Sequence, residues 1–278
     1  VEEEKVGAAN SSAHNSVSGK GKGQLGMAKS GYTKVVRGSE DEVKAREIIL
    51  NLFKESPIPD AEMLVNLGAY LRSPLLAKIL YLNELYQRIE NLPGVVMEFG
   101  VWWGANLALF ESFRSVYEPY NWTRKVIGFD TFQGYPSISE QDGTSSYAAV
   151  GGYQVSEGYD KYLGRLLDAH EADNVMAHMK KYELIKGDVT QTIDQYLEKN
   201  PQTIIALAYF DLALYEPTKK CLEAIRPHLV RGSVLAMDEL TSPDFPGETI
   251  ALKEVFGLDK YRIIKSRFLP DRAYIIVE

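Results

Sequence analysis

The sequence predicts an α/β fold: a mostly parallel, Rossmann-like sheet of seven strands, ending in an antiparallel hairpin and preceded by a cap of helices. Three observations carry that prediction. Five apolar runs alternate with helical patterns from residue 95 onward, the order that makes a parallel sheet with helices on both faces. The runs are almost continuously apolar, as in Ile204-Ile205-Ala206-Leu207-Ala208, which suits strands buried on both sides. The stretch Met97-Glu98-Phe99-Gly100-Val101-Trp102-Trp103-Gly104 reads as a strand running into a glycine turn, with a helical pattern after it. Glycine lets backbone approach a ligand closely, and in open α/β sheets such a turn lies at the carboxyl edge, where ligands bind.

In chain order, residues 1–35 are rich in Ser, Gly, Asn and Lys, with few large apolar side chains. They cannot bury enough surface to offset ordering entropy, so a flexible leader is expected. It has neither the apolar core of a secretory signal nor the amphipathic arginine pattern of a transit peptide. Residues 36–92 form the helical cap. Ser39 and Glu42 have the spacing of a capping box, and Val43, Ile48, Ile49, Leu52 and Phe53 supply an apolar stripe. Helices are expected over 61–67 and over 73–89, the latter with Ser73 as its N-cap. The remainder, 93–278, is the sheet domain. Strands are expected at 95–99, 125–129, 182–186, 203–210 and 233–237, and helices at 105–117, 159–179, 190–197, 216–225 and 249–256. The last pair, 261–268 and 273–277, turns at Asp271 as a hairpin. Segment 131–158 is long for a loop and is expected to be a lid or binding loop, with Tyr135, Tyr147, Tyr153 and Tyr159 offering faces to an acceptor.

Composition excludes several classes. Hydrophobic residues make up 45% of the 278, enough for a substantial core. A net charge of -7 argues against affinity for phosphate backbones. No apolar run reaches the length of a membrane span. Cys221 is the only cysteine, so no internal disulfide or thiolate metal site is expected. A reducing, cytoplasmic setting fits, and Cys221 itself reads as a small buried hydrophobe.

The informative regularity is where the acids fall. Glu98, Asp130, Asp188, Asp211, Asp238 and Glu239 each sit at or just past a strand end, so all should gather on one rim. An acid there can simply cap the next helix, but five strands in succession ask for more. A carboxylate at Asp130 suits both ribose hydroxyls of an adenosine ligand, and Gly187-Asp188 is placed to meet an adenine amine. Glu98 suits either a ligand amine or the turn itself. Asp211, Asp238 and Glu239, from neighbouring strands, would raise one another's pKa. A divalent cation relieves that conflict, and all-oxygen ligation suits Mg²⁺, Mn²⁺ or Ca²⁺. The alternative is separate roles, one helix cap and two solvated acids, and the metal is the favoured reading.

Four stretches together resemble the macrocin O-methyltransferase family: 92–104, Asp130-Thr131-Phe132-Gln133-Gly134-Tyr135-Pro136, Asp211-Leu212-Ala213-Leu214-Tyr215-Glu216-Pro217-Thr218, and Met237-Asp238-Glu239. The resemblance runs from about residue 70 to the end. It implies a class I S-adenosylmethionine (SAM) methyltransferase that uses Mg²⁺ to methylate a sugar hydroxyl on a glycosylated bacterial natural product, of the antibiotic type. It implies that Glu98, Gly100, Trp102, Gly104, Asp130, Thr131 and Phe132 hold SAM, with Ser73, beside Arg72, at its methionine end. It implies that Asp211, Asp238 and Glu239 ligate the metal, Asp211 being catalytic, and that the protein self-associates. Two positions depart from the family. Asp238-Glu239 stands where two aspartates are common, and Ala213 stands where an aspartate proposed as general base is usual.

Methyl transfer is an in-line displacement that needs donor and acceptor brought together and one proton removed. Ala213 cannot take that proton, which leaves a metal-bound hydroxide, one of the three rim carboxylates or His170. A catechol-like acceptor fits a metal site equally well, and the loss of the aspartate also fits a non-catalytic SAM-binding relative. A nicotinamide enzyme is disfavoured because Gly-x-Gly-x-x-Gly is absent.

Overall fold

A computed structural model describes the backbone at Gly26–Met27 and Thr33–Lys34 and all of residues 38–278. The two short segments pair antiparallel; the rest of the expected leader lies outside the described residues. The sheet comprises β1 (Val95–Phe99), β2 (Val126–Asp130), β3 (Tyr182–Lys186), β4 (Ile205–Phe210), β5 (Leu229–Met237), β6 (Ile263–Lys265) and β7 (Ala273–Ile276). Their order is β3-β2-β1-β4-β5-β7-β6. The first five are parallel, and β7 runs antiparallel to both β5 and β6. Strand order reverses between β1 and β4, which creates the crevice at which open α/β sheets bind ligands.

Both sheet faces are buried, as the apolar runs require. On one face Phe99 stacks between Phe129 and Phe210, with ring centroids 5.2 and 4.8 Å apart. On the other lies α3 (Ser73–Ile89), whose Tyr81, Leu82, Leu85, Tyr86 and Ile89 are all fully buried. Each such side chain contributes roughly 1.5–3 kcal/mol, so α3 is part of the sheet layer. The remaining helices are α1 (Glu40–Lys54), α2 (Asp60–Met63), α4 (Ala105–Tyr117), α5 (Tyr159–Asp173), α6 (Val189–Lys199), α7 (Tyr215–Ile225) and α8 (Gly247–Val255). Among the described residues none is long and apolar enough to cross a membrane.

Several expectations change. The Ser39–Glu42 capping box forms in both directions, but α1 buries no residue, and Ile48, Leu52 and Phe53 are exposed. The helix expected over 61–67 closes at Met63 and gives way to a 3-10 turn at Leu67–Tyr70. Arg72, not Ser73, is the N-cap of α3; Ser73 is its first helical residue, and Pro74 follows, where a missing N–H costs nothing. Helix α5 stops at Asp173 rather than 179, and Met176 beyond it takes a positive φ. Segment 131–158 is anchored: Asp142 Oδ1 accepts Tyr215 N–H at 2.6 Å, capping α7 from across the fold.

Beneath α4 lies a buried charge cluster in which Glu171 pairs with both Arg114 and Lys181. Glu111 is fully buried beside it, with no hydrogen-bond partner on either oxygen. Burial pushes its carboxyl up to about 8, aided by Glu171 and Asp168 and opposed by Arg114 and Lys181. The folded protein therefore holds a proton that the unfolded chain releases near 4.5. The stability Glu111 contributes is complete below that value and is lost as pH rises toward about 8. Glu111→Gln, neutral throughout, is expected to melt increasingly above wild type as pH rises from about 5 to about 8. Parallel melting curves across that range would show that Glu111 does not titrate in this way.

Candidate active site

A cavity of about 670 Å³ opens over the carboxyl ends of β1, β2, β4 and β5. Its floor is the switch point. Gly100 has φ +91, and a Cβ there would fall 2.1 Å from the carbonyl oxygen of Asp211, so only glycine lets the two strand ends meet. Beside it, Asp130 Oδ2 accepts Trp102 N–H at 2.7 Å and Oδ1 accepts Phe132 N–H at 2.6 Å. Both donors are non-glycine residues with positive φ, so one carboxylate fixes the turns after β1 and β2. Burial raises the Asp130 pKa while these backbone N–H groups oppose the shift. Thr131 Oγ1 donates to the Gly134 carbonyl at 2.8 Å. Gly187 and Asp188 line the same end, and Asp188 Oδ1 caps α6 by accepting from Thr190. This half is concave, rich in backbone and edged by Asp130, a shape that fits an adenosyl group.

Four residues expected to contact the cofactor do not line the cavity. Ser73 is exposed, while Arg72 and Pro74 on either side of it reach the wall. Gly104 is glycine because Leu163 packs against it, 2.4 Å from where a Cβ would sit. The Phe132 ring packs in the core, and only its N–H serves the site. Glu98 is fully buried: Oε1 accepts from Asn106 Nδ2 at 2.7 Å, and Oε2 has no hydrogen-bond partner. Burial pushes its carboxyl well above the ordinary value. Of the paired tryptophans, Trp102 lines the cavity, and Trp103 packs edge-on to Tyr159, centroids 4.7 Å apart.

The acidic rim is built differently from the expected three-carboxylate cation site. Asp238 is buried and already engaged. Its Oδ1 accepts Arg272 Nε–H at 2.8 Å and the Tyr209 hydroxyl, and its Oδ2 accepts Arg272 Nη2 at 2.5 Å. Burial opposes its ionisation, but Arg272, Lys78 and Tyr209 outweigh it and hold the pKa below the ordinary value. Asp211 lies 3.8 Å from Lys78 Nζ, yet burial and Asp238 still raise its pKa. Glu239 is pushed up to about 8 by burial and then Asp238. Among the described residues no three acidic, histidine or cysteine side chains are grouped to hold a metal ion. The donor chemistry fits a hard cation at Asp211 and Glu239, whose crowding a positive charge relieves. Asp238 can join only through the lone pair that Arg272 leaves on Oδ2.

Across from the acids, Tyr135, Tyr153 and Phe245 form an aromatic wall, with neighbouring centroids 5.3 and 6.3 Å apart. Tyr147 and His170 do not line the cavity. Sequence reasoning missed Lys78 and Arg272. Lys78 carried a weak signal, being one turn before Leu82 on the buried stripe of α3. Arg272 was legible only through strand register: Met237 pairs with Ala273, which sets Asp238 against the residue before β7.

Residues 81–246 match the family model described as macrocin-O-methyltransferase (TylF). No match is found among curated proteins. Among solved structures, CalS11, described as a calicheamicin methyltransferase, is 44% identical over 87% of this chain and 94% of its own, with a TM-score of 0.85. Apo CalS11, described as a TDP-rhamnose 3'-O-methyltransferase of calicheamicin biosynthesis, is 42% identical over 87% and 96%, with a TM-score of 0.77. The O-methyltransferase NovP, 18% identical over 73% and 80%, shares the fold at a TM-score of 0.53. The 3-2-1-4-5-7-6 sheet and its glycine switch point thus come with a match over more than half the sequence, and the chain belongs to the macrocin-O-methyltransferase family of O-methyltransferases.

Proposed function

We propose that this protein is a SAM-dependent, cation-assisted O-methyltransferase acting on a sugar hydroxyl in antibiotic biosynthesis. The observation that carries the reading is one cavity with two unlike halves, a backbone-rich cradle at Gly100 and Asp130 and an acidic rim at Asp211 and Glu239, in a chain 42–44% identical to CalS11. Asp130 holds the ribose, and Gly187 and Asp188 border the adenine. SAM bound there supplies the methyl group from its sulfonium. Asp211 and Glu239 hold a divalent cation, which on binding lowers the pKa of an acceptor hydroxyl. Tyr135, Tyr153 and Phe245 stack on the sugar face and keep water from the reacting atoms. Ala213 takes no part in moving the proton.

The acceptor is a glycosylated natural product; the description of CalS11 favours, as a second reading, a sugar still carried on a nucleotide. Radiolabelled methyl transfer from SAM to TDP-rhamnose and to a glycosylated macrolide separates the two, and transfer to a catechol alone would overturn both. The same reading takes the protein as cytoplasmic and self-associating; the exposed Ile48, Leu64, Val65 and Leu76 support self-association, which sedimentation velocity measures.

Asp130→Ala is expected to weaken S-adenosylhomocysteine binding, read by calorimetry, by about tenfold or more, since hydrogen bonds to a charged group are lost. Affinity within about twofold of wild type would remove Asp130 from the cofactor site. Asp211→Asn is expected to abolish the activity that a chelator abolishes in wild type. Undiminished wild-type turnover in excess EDTA would end the cation role.

A further inference from the structure

We propose that Glu248 is a positioning residue for methyl transfer, a clamp that fixes the separation of the Asp211 and Glu239 strand ends. The proposal rests on the reading that those two acids serve the reaction. Glu248 sits in the first turn of α8, two residues past the family-matched stretch, and is fully buried. Its Oε1 accepts Leu212 N–H at 3.1 Å and Ala213 N–H at 2.9 Å, and its Oε2 accepts Glu239 N–H at 3.1 Å. One carboxylate thus bridges the backbone just past β4 and the backbone just past β5.

Its neighbour makes this approach possible. A Cβ on Gly247 would fall 2.4 Å from Tyr215 N and 2.5 Å from Asp142 Oδ1, so glycine is required for α8 to dock this closely. On the opposite flank Asp211 N–H donates to the Phe99 carbonyl at 2.8 Å, and Gly100 packs on the Asp211 carbonyl. Asp211 is therefore held by β1 on one side and, through the next two peptides, by Glu248 on the other. Every hydrogen-bond partner of Glu248 is an N–H donor, so the task needs both oxygens to accept. A glutamine, equal in size, turns one of them into an NH₂ that faces a backbone N–H. Methyl transfer depends on placement, and an error of about 1 Å from a distant change costs about 100-fold.

The test is Glu248→Gln with SAM, TDP-rhamnose and Mg²⁺, beside amide hydrogen exchange of the peptides holding residues 212–213 and 239. Expected are a kcat lower by about 100-fold, an unchanged affinity for S-adenosylhomocysteine, and protection at those amides lower by about tenfold. Wild-type kcat, or a loss of cofactor affinity in step with kcat, would overturn the proposal. Should Glu248→Gln fail to fold, Glu248→Asp keeps both carboxyl oxygens but is too short to span both loops. A fall in its kcat with unchanged cofactor affinity supports the clamp, and wild-type kinetics overturn it. If wild type methylates no sugar acceptor, the functional reading fails instead, before any variant is made.

Discussion

Asp211, Asp238 and Glu239 can share one rim of this sheet only because Lys78 and Arg272 reach it from different elements, α3 and the turn before β7. Asp238 is the acid that could not be buried alone. Arg272 meets it with two N–H groups and Tyr209 with a hydroxyl, and stripping a buried ion of its partner costs about 3–5 kcal/mol. Asp238 thus stays ionised, and its charge adds to burial in raising the pKa of both neighbours. Asp211 shares Lys78 at 3.8 Å, and the Glu239 carboxyl is held up at about 8. The fold thus sorts three similar acids into one structural anion and two that are poised to gain from an incoming positive charge.

That sorting marks how far the sequence was legible. The alternation of apolar runs and helical patterns located the central strands β1, β2, β4 and β5, because burial on both faces leaves a continuous apolar signature, whereas the edge strands β3 and β6 are only partly buried or exposed. The Gly100 turn was legible because close approach admits no other residue. Edges were less so. Helix α5 ends where Asn174 turns to extended backbone, and α1, with no buried residue, is only lightly specified by packing. Five of the six strand-end acids line the cavity as expected and Glu98 does not, but their division of labour was not legible. Arg272 becomes the partner of Asp238 only once β7 has inserted beside β5, a long-range event that no local pattern announces.

A second regularity emerges from the backbone. Trp102, Phe132, Ala213 and Thr241 are non-glycine residues with φ between 51 and 66°, a region that costs about 1–3 kcal/mol each and persists only when its surroundings impose it. Each of the four N–H groups is held by a side-chain oxygen: Asp130 takes the first two, Glu248 the third and Thr249 the fourth. All four lie in turns past strands β1, β2, β4 and β5, and Trp102 and Ala213 line the cavity. Much of what reads in the sequence as ligand chemistry is therefore also support for strained backbone. Asp130 holds two such N–H groups while lining the cavity, and Asp188 lines it while capping α6.

Ala213 combines the strained backbone with the loss of a rim acid. Aspartate is among the residues that tolerate a left-handed conformation, since its side chain can bond locally, so the residue usual in the family suits φ +62 on its own terms. Alanine has no such means, and the conformation must be imposed from outside. Glu248 imposes it, accepting the Ala213 N–H together with that of Leu212. With no carboxylate of its own at 213, the turn past β4 is held in this conformation by one behind the wall.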